Sequence, residues 1–400
     1  MSYLFLLSFC LSIIVVSSSL ENKNLTPNKL ALENIVNKLN VETPNSAHLE
    51  TLKISESSNT HFQMTAERVD EINNGKKKWK AKLHSRFANR TPKELRRFLG
   101  IKRIPSAEHR TKREEKLKSL KTLKKAENKN YLKNENKSEQ LPKEFDARNE
   151  INPHVEDRIC ISSGGELKLN ISSEDILSCE KQSYGCDGGW PENAFEFWKT
   201  KGVCTGSAYE EHEGCKPYPI PPNPDKFYST PRCKRRCENR KYKTKYNNDK
   251  HYGKEPVNLQ NSEDVDIMNA IIEGGPVEAD MIVYYDFLLY SKGIYEADEY
   301  SQEAGGHAVR IIGWGYHNES DTPYWLVANS WGKEWGIDGY FKIARAQDEC
   351  FIESWGVNYA DPALSNNTLT SPGAISASKR RQERIEQIQR QNIFKKNLKN

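Results

Sequence analysis

Apolar and polar positions alternate most clearly near residue 310. Ala308-Val309-Arg310-Ile311-Ile312 and Pro323-Tyr324-Trp325-Leu326-Val327-Ala328 are β-branched or aromatic runs separated by the polar stretch YHNESDT, which predicts two antiparallel strands. Residues 194–200 carry aromatics at helical spacing and predict a short core helix. Met64 to Ile101 is apolar at roughly helical spacing, with Thr91-Pro92 as N-cap and first helical residue. Leu4 to Val16 is an apolar run followed by three serines. It has the length and ending of a secretory signal and is too short to span a bilayer comfortably, so residues 1–19 are read as a signal peptide. From Glu21 to about Gln140 the chain is polar, lysine-rich and free of cysteine. Within it, Lys102 to Gln140 reads as a charged, exposed linker and a natural processing site. After Leu364 a Ser/Asn/Thr-rich stretch leads to a basic segment with Ile385, Ile388 and Ile393 as a thin apolar stripe. Residues 365–400 therefore read as a disordered, solvated tail.

Composition narrows this picture only a little. With 400 residues, 36% apolar and 29% charged, the chain has room for one or two domains, and a mean hydropathy of −0.82 keeps much of it solvated. A net charge of +5 is too mild to imply nucleic acid or an anionic membrane, and no transmembrane anchor is expected. Cys10 falls in the signal, leaving cysteines 160, 179, 186, 204, 215, 233, 237 and 350. In a secreted chain such an even set suggests a disulfide framework.

The predicted hairpin also carries chemistry. His307 opens the first strand and Asn329 closes the second. That places an imidazole beside an amide whose oxygen can hold one ring N–H, fix the tautomer and leave the other nitrogen for proton transfer. Trp331 can lie over the pair and exclude water, strengthening the polar contact. On spacing alone, a histidine at a strand end is equally well satisfied by a local bond.

GGHAVRIIGWG, TPYWLVANSWG and WGIDGYFKI resemble the His and Asn blocks of papain-family cysteine peptidases, in wording nearest to the cathepsin B subgroup. The resemblance implies an α+β, papain-like two-lobed fold, with a helical left lobe and a β-barrel-like right lobe, preceded by a propeptide. It implies domains at 20–140 (propeptide and basic linker) and 141–364 (peptidase domain), and His307 and Asn329 as two members of a catalytic triad. Substrate-binding roles carry over to Gly188, Gly189, Trp190 and Pro191 of a glycine block, to Ala308 and Trp331, and to Asp280 and Trp355 at the second subsite. Trp355 replaces an acidic residue, which favours an apolar P2 side chain, while Asp280, standing where the family usually has a small residue, argues the other way, so the P2 preference stays open. The family's cysteine pattern pairs Cys179 with Cys233 and Cys215 with Cys237. Partners would be protein or peptide substrates and cystatin-like inhibitors, acting on a monomer that needs no cofactor and no metal. The route would be secretory, ending outside the cell or in the lysosome.

One departure dominates. The family pentad C-G-[SA]-C-[WY], about 130–150 residues before the His, does not occur. Cys160 lies inside that window, but its context, Asp157-Arg158-Ile159-Cys160-Ile161, resembles the far end of the family helix, where the cysteine is half of a disulfide. Only Asn149 to Glu156 separate FDAR from DRICI. In the family that gap holds the oxyanion Gln, the nucleophile and most of a buried helix. A family member lacking this segment would be inactive as written, and loss of so large a core element should exceed the roughly 5–15 kcal/mol that holds a domain together. The alternative is a secreted pseudopeptidase that binds peptides or protease inhibitors without cutting. The loop Asn223–Arg232 also lacks the paired histidines of the subgroup's occluding loop, so carboxydipeptidase trimming is not expected.

Overall fold

Strand alternation near residue 310 forms the middle of a nine-stranded sheet in a computed structural model of the chain. The structure describes residues 64–365 except 103, 126–140, 150–156, 223–225 and 261, together with 379, 382, 383 and 386. Residues 1–19, read as a signal peptide, residues 150–156 at the short junction and nearly all of residues 365–400 lie outside the described residues. β6 (Glu303–His317) and β7 (Thr322–Ala328) pair antiparallel with Ile311 opposite Val327, so β6 begins earlier than the apolar run alone suggests. The remaining strands are β1 (Trp79–Ala81), β2 (Phe145–Asp146), β3 (Val257–Asn258), β4 (Val277–Tyr284), β5 (Tyr290–Tyr295), β8 (Tyr340–Ala344) and β9 (Val357–Tyr359). Their order is β1-β5-β8-β7-β6-β4-β9-β3, with β2 also on β6.

Side chains on β4 divide with period two. Ala279, Met281 and Val283 enter the main core with Val309, Ile311, Trp325 and Val327, while Ile282 joins a second cluster on the opposite face. The cluster around Phe287, Tyr290, Tyr295 and Trp335 consists largely of edge-to-face or tilted ring pairs, the arrangement that aromatic quadrupoles favour.

The helical part is thinner. It contains α4 (Asp157–Ser162), α5 (Ser173–Cys179) and α6 (Pro191–Lys201), and α7 (Asp264–Gly274) leads into β4. α4 is held to the sheet side by Arg158, whose guanidinium donates to the carbonyls of Ala270, Gly275 and Pro276 and pairs with Asp361 at 2.7 Å. The helix expected at 194–200 exists, but α6 has no fully buried residue. Its aromatics stay half-covered because the helical part offers little apolar surface to cover them: its buried apolar cluster is Cys204, Cys215 and Tyr246. Two disulfides, Cys179–Cys233 and Cys215–Cys237, close this region.

A salt-linked network lies beneath them. Asp175 is fully buried and meets Lys216 at 3.0 Å, Lys250 at 2.7 Å and the Tyr246 hydroxyl at 2.9 Å. Burial alone would push its carboxyl up, but the two ammonium groups overcome that and hold it below its ordinary range.

Before residue 141 the chain does not follow one helical period. α1 (Ala66–Asn74) stops at Gly75, β1 extends the sheet against β5, and α2 (Pro92–Leu95) follows. Thr91 caps α2 with Glu94 in a reciprocal capping box, and Pro92 is its first residue. Trp79 adopts a strand because its ring fills the space beside Tyr290 and Tyr295, a tertiary contact that overrides local spacing. The segment read as a linker is likewise different: Ala107–Lys125 is helix α3. Its cations settle on acceptors of the sheet side, Arg110 on Glu303 (2.6 and 3.0 Å), Arg113 on the Asp348 carbonyl (2.8 Å) and Lys116 on Glu353 (3.0 Å).

Candidate active-site cleft

Where β7 ends, the Asn329 amide N–H donates to the Gly339 carbonyl, which turns the chain and presents the side chain to β6. Asn329 Oδ1 lies 2.9 Å from His307 Nε2 and accepts the Ser330 N–H at 2.7 Å. The indole of Trp331 stacks on the imidazole, with centroids 4.9 Å apart and planes 24° from parallel. Oδ1 is an acceptor, so the Nε2 nitrogen carries the proton and Nδ1 is the basic nitrogen. His307 is 5% exposed. Burial pushes its pKa down to about 4, which the Asn329 hydrogen bond only partly offsets, so the ring is neutral near pH 7.

A measurable pH dependence follows. The unfolded chain protonates this group near 6.5 and the folded chain near 4, so stability is present above 6.5 and is lost as pH falls toward 4. Between pH 7 and 4.5 the wild type is expected to lose about 2–3 kcal/mol more than a His307→Gln variant, which has no titrating ring. Paired urea midpoints at the two pH values check this, and parallel pH profiles would refute it.

Unpaired cysteines among the described residues are Cys160, Cys186, Cys204 and Cys350. All four have thiol pKa values above the ordinary one, each primarily through burial. Asp157 and Asp175 push Cys160 and Cys204 further, and Glu349 does the same to Cys350, whose thiol also donates to Glu349 at 3.5 Å. A nucleophilic thiolate needs the opposite setting, a cationic neighbour or a helix N-terminus that lowers the pKa. His307 perturbs none of the four. Cys204, Cys215 and Asp249 bring potential metal-ligand atoms within 4.8 Å of one another. They do not fit an ion: Cys215 is half of a disulfide, and Asp249 accepts hydrogen bonds from Thr205 and Tyr242.

Residues Gly100–Lys102 run between two walls. Ile101 N–H donates to Gly306 O at 3.0 Å, Gly189 N–H to Gly100 O at 2.8 Å and Lys102 N–H to Gly189 O at 3.1 Å. Gly188 has φ +99°, and a Cβ there would stand 2.3 Å from Gly100 O, so a side chain would expel the segment. Ile101 enters an apolar pocket made by Ile282, Phe351, Trp355 and Ala308. Trp331 reaches the same segment from the other side, donating to Phe98 O at 3.2 Å. Gly188, Gly189, Ala308 and Trp355 thus border the Gly100–Lys102 segment, and Trp331 links Phe98 to the His307–Asn329 pair.

Other candidates have different neighbours. Trp190 packs on Tyr184 and Pro191 starts α6. Asp280 is opposite Ala308 in the register. Burial, followed by the nearby charge of Asp280, pushes the Glu278 carboxyl well up. Sequence reading missed Ile282 and Phe351. Ile282 was legible as an alternate position of β4, but Phe351 was not. It has φ +63° beside Cys350 at φ +54°, and that left-handed turn, rare for non-glycine residues, brings its ring into the pocket.

Residues 152–359 match the family described as papain family cysteine protease. A cathepsin B-like cysteine proteinase of Schistosoma japonicum is 48% identical over 210 residues, which cover 50% of this chain and 60% of that protein. Cathepsin B-like cysteine proteinase 4 of Caenorhabditis elegans is 45% identical, covering 49% and 62% respectively. The chain therefore spans about 60% of the length of these relatives. Among solved structures, proCathepsin B S9 from Trypanosoma congolense aligns with a TM-score of 0.57 at 28% identity, over 76% of this chain and 99% of that one.

Proposed function

Because this chain belongs to the papain family of cysteine proteases, and specifically to its cathepsin B-like members, we propose that its sequence as it stands specifies a member that does not cleave peptide bonds. The observation that carries this is the state of the imidazole. His307 is oriented by Asn329 and covered by Trp331, yet it is neutral, and the four unpaired cysteines of the described residues have raised pKa values. Family chemistry requires a thiolate that attacks the carbonyl, an imidazolium that protonates the leaving amine, and oxyanion donors. Here the first is missing and the second has no anion to stabilise it. On this reading residues 149–156 stand where a longer, nucleophile-bearing segment belongs, and the shortness of the junction is a loss from an otherwise proteolytic sequence. Hydrolysis of a peptide reporter by the unaltered chain would overturn it.

A second reading, that the groove binds peptides without cutting them, is favoured by one observation: backbone and pocket contacts to Gly100–Lys102 are made without any thiol. Extended peptides bind in this way, with main-chain hydrogen bonds supplying affinity and alternate pockets supplying selectivity. An Ile101→Asp variant, which places a charge in the apolar pocket, is expected to release the segment and bind a labelled peptide with Val at the pocket position at least about tenfold more tightly than the wild type. Fluorescence polarisation measures this, and equal affinities would remove the groove as a peptide site. Protein or peptide ligands and cystatin-like inhibitors are the partners proposed for a monomeric chain. The leader-like residues 1–19 support a secretory route, to the lysosome or the cell exterior, and no helix among the described residues is long and apolar enough to cross a membrane.

A further inference from the structure

Phe351 and Trp355, two of the residues that enclose Ile101, are both held by α3. The half-covered residues of that helix, His109, Arg110, Arg113 and Leu117, recur at helical spacing on one face. The face is mostly cationic rather than an apolar stripe, and its cations go to specific atoms. Arg113 donates to the Asp348 carbonyl at 2.8 Å, and its guanidinium carbon stands 4.9 Å from the centre of the Phe351 ring. Arg110, fixed in a two-pronged pair with Glu303, lies 5.5 Å from the same ring. His109 reaches Trp355 through Gln260, whose amide nitrogen donates to His109 Nε2 at 2.8 Å and to the Trp355 carbonyl at 3.0 Å.

The turn that presents Phe351 needs such support. Ala346, Asp348, Cys350 and Phe351 have φ between +52° and +67°, a left-handed conformation that is costly for residues with a Cβ and persists only where the surroundings over-determine it. Inside the turn, Glu353 accepts the Ala346 and Asp348 N–H groups at 2.6 and 3.0 Å, while Asp348 Oδ1 accepts those of Glu353 and Ser354 at 3.1 and 3.0 Å. The further holds come from α3: Arg113 on the Asp348 carbonyl and Lys116 on Glu353 at 3.0 Å.

We propose that Arg110 and Arg113 are positioning residues that set which side chain the groove accepts: by holding Phe351 and its turn in place they keep the pocket narrow, sized for a β-branched residue such as Ile101. This inference rests on the peptide-binding reading of the groove. Cation–ring attraction and a charge-assisted bond to a carbonyl both fix the ring. Without them the left-handed turn relaxes, Phe351 withdraws and a larger side chain fits. The segment that the sequence presents as a linker thereby acts on selectivity without touching the ligand.

The test uses the full chain carrying Ile101→Asp, which frees the pocket, and two labelled peptides that differ only in Val or Phe at the pocket position, read by fluorescence polarisation. The Val peptide is expected to bind at least about tenfold more tightly than the Phe peptide. Adding Arg110→Ala and Arg113→Ala should cut that ratio at least about fivefold, mainly by tightening the Phe peptide, whereas Lys112→Ala with Lys118→Ala, exposed on the same helix, leaves it within about twofold. In a Phe351→Ala background the arginine changes should shift the ratio no further, because groups that act through one residue are not additive. Equal binding of the two peptides by Ile101→Asp, a ratio unmoved by the arginine changes, or a ratio moved equally with and without Phe351 would each overturn the positioning role. Binding of neither peptide by Ile101→Asp would instead remove the groove reading, and this inference with it. A second measurement does not depend on the groove. In the chain that keeps Ile101, hydrogen exchange at the Phe351, Ile352 and Trp355 amides, bonded to the Asp348, Glu349 and Phe351 carbonyls, is expected to quicken at least about tenfold in Arg113→Ala. Unchanged exchange there would also overturn the proposal.

Discussion

A dipeptidyl-arginine aminocoumarin reporter, incubated with the full chain in reducing buffer at mildly acidic pH, is expected to be cleaved no faster than in buffer alone. The expected deficit relative to an intact cysteine peptidase is on the order of 10⁵–10⁶, the loss seen when a nucleophile is removed from a unit whose members act together. A preserved His307–Asn329 pair does not rescue activity, because orientation accelerates nothing without a group to deprotonate. An epoxide thiol trap should likewise leave no label that depends on His307. The sharpest alternative is Cys160. Its thiol is buried and pushed up, with Asp157 adding to the effect of burial, which argues for an inert sulfur. Reporter cleavage or labelling that disappears in Cys160→Ser but survives Cys350→Ser would establish Cys160 as a nucleophile and end the non-cleaving reading. Conversely, inserting a segment with the family's Gln and Cys-Gly-Ser-Cys-Trp between Arg148 and Asp157 is expected to restore labelling.

Asp175→Asn is expected to destabilise the chain by about 3–5 kcal/mol, the penalty for removing one member of a buried charged set. Asp175 is 0% exposed, Lys216 1% and Lys250 9%. The substitution would leave two buried ammonium groups without a carboxylate partner, with the Tyr246 hydroxyl and, for Lys250, the Gly202 carbonyl as neighbouring dipoles. Domain stabilities are themselves about 5–15 kcal/mol, so the loss is a large fraction of the total. In this chain the helical side has little apolar core beyond Cys204, Cys215 and Tyr246. Pulse proteolysis in urea measures the change. Because the cost arises from uncompensated lysines rather than from a lost attraction, adding Lys216→Met should recover part of it. A loss below about 1 kcal/mol, or no recovery in the double variant, would show that the network contributes little to folding.

Local rules sufficed for the parts that depend on neighbours in sequence. Alternation made β6 and β7 readable, Thr91-Pro92 marked the start of α2, and Pro191 with the following aromatics marked α6. His307, Asn329 and Trp331 were found because two adjacent strands must bring their ends together. The same rules misread Trp79 as helical and residues 107–125 as a loose linker, since β1 depends on β5 and α3 is held by Glu303, Glu353 and the Asp348 carbonyl, almost two hundred residues or more away.

By itself the sequence determined the family, the strand pattern that carries His307 and Asn329, and the lack of the nucleophile pentad, because those features are written in residue identity and short-range spacing. Only the tertiary structure decided that His307 stays neutral, that the described free thiols are raised, that Phe351 and Ile282 enclose Ile101, and that Asp175 bridges two buried lysines. Those outcomes depend on burial and on charges brought together from distant positions, and desolvation has no counterpart in a linear pattern.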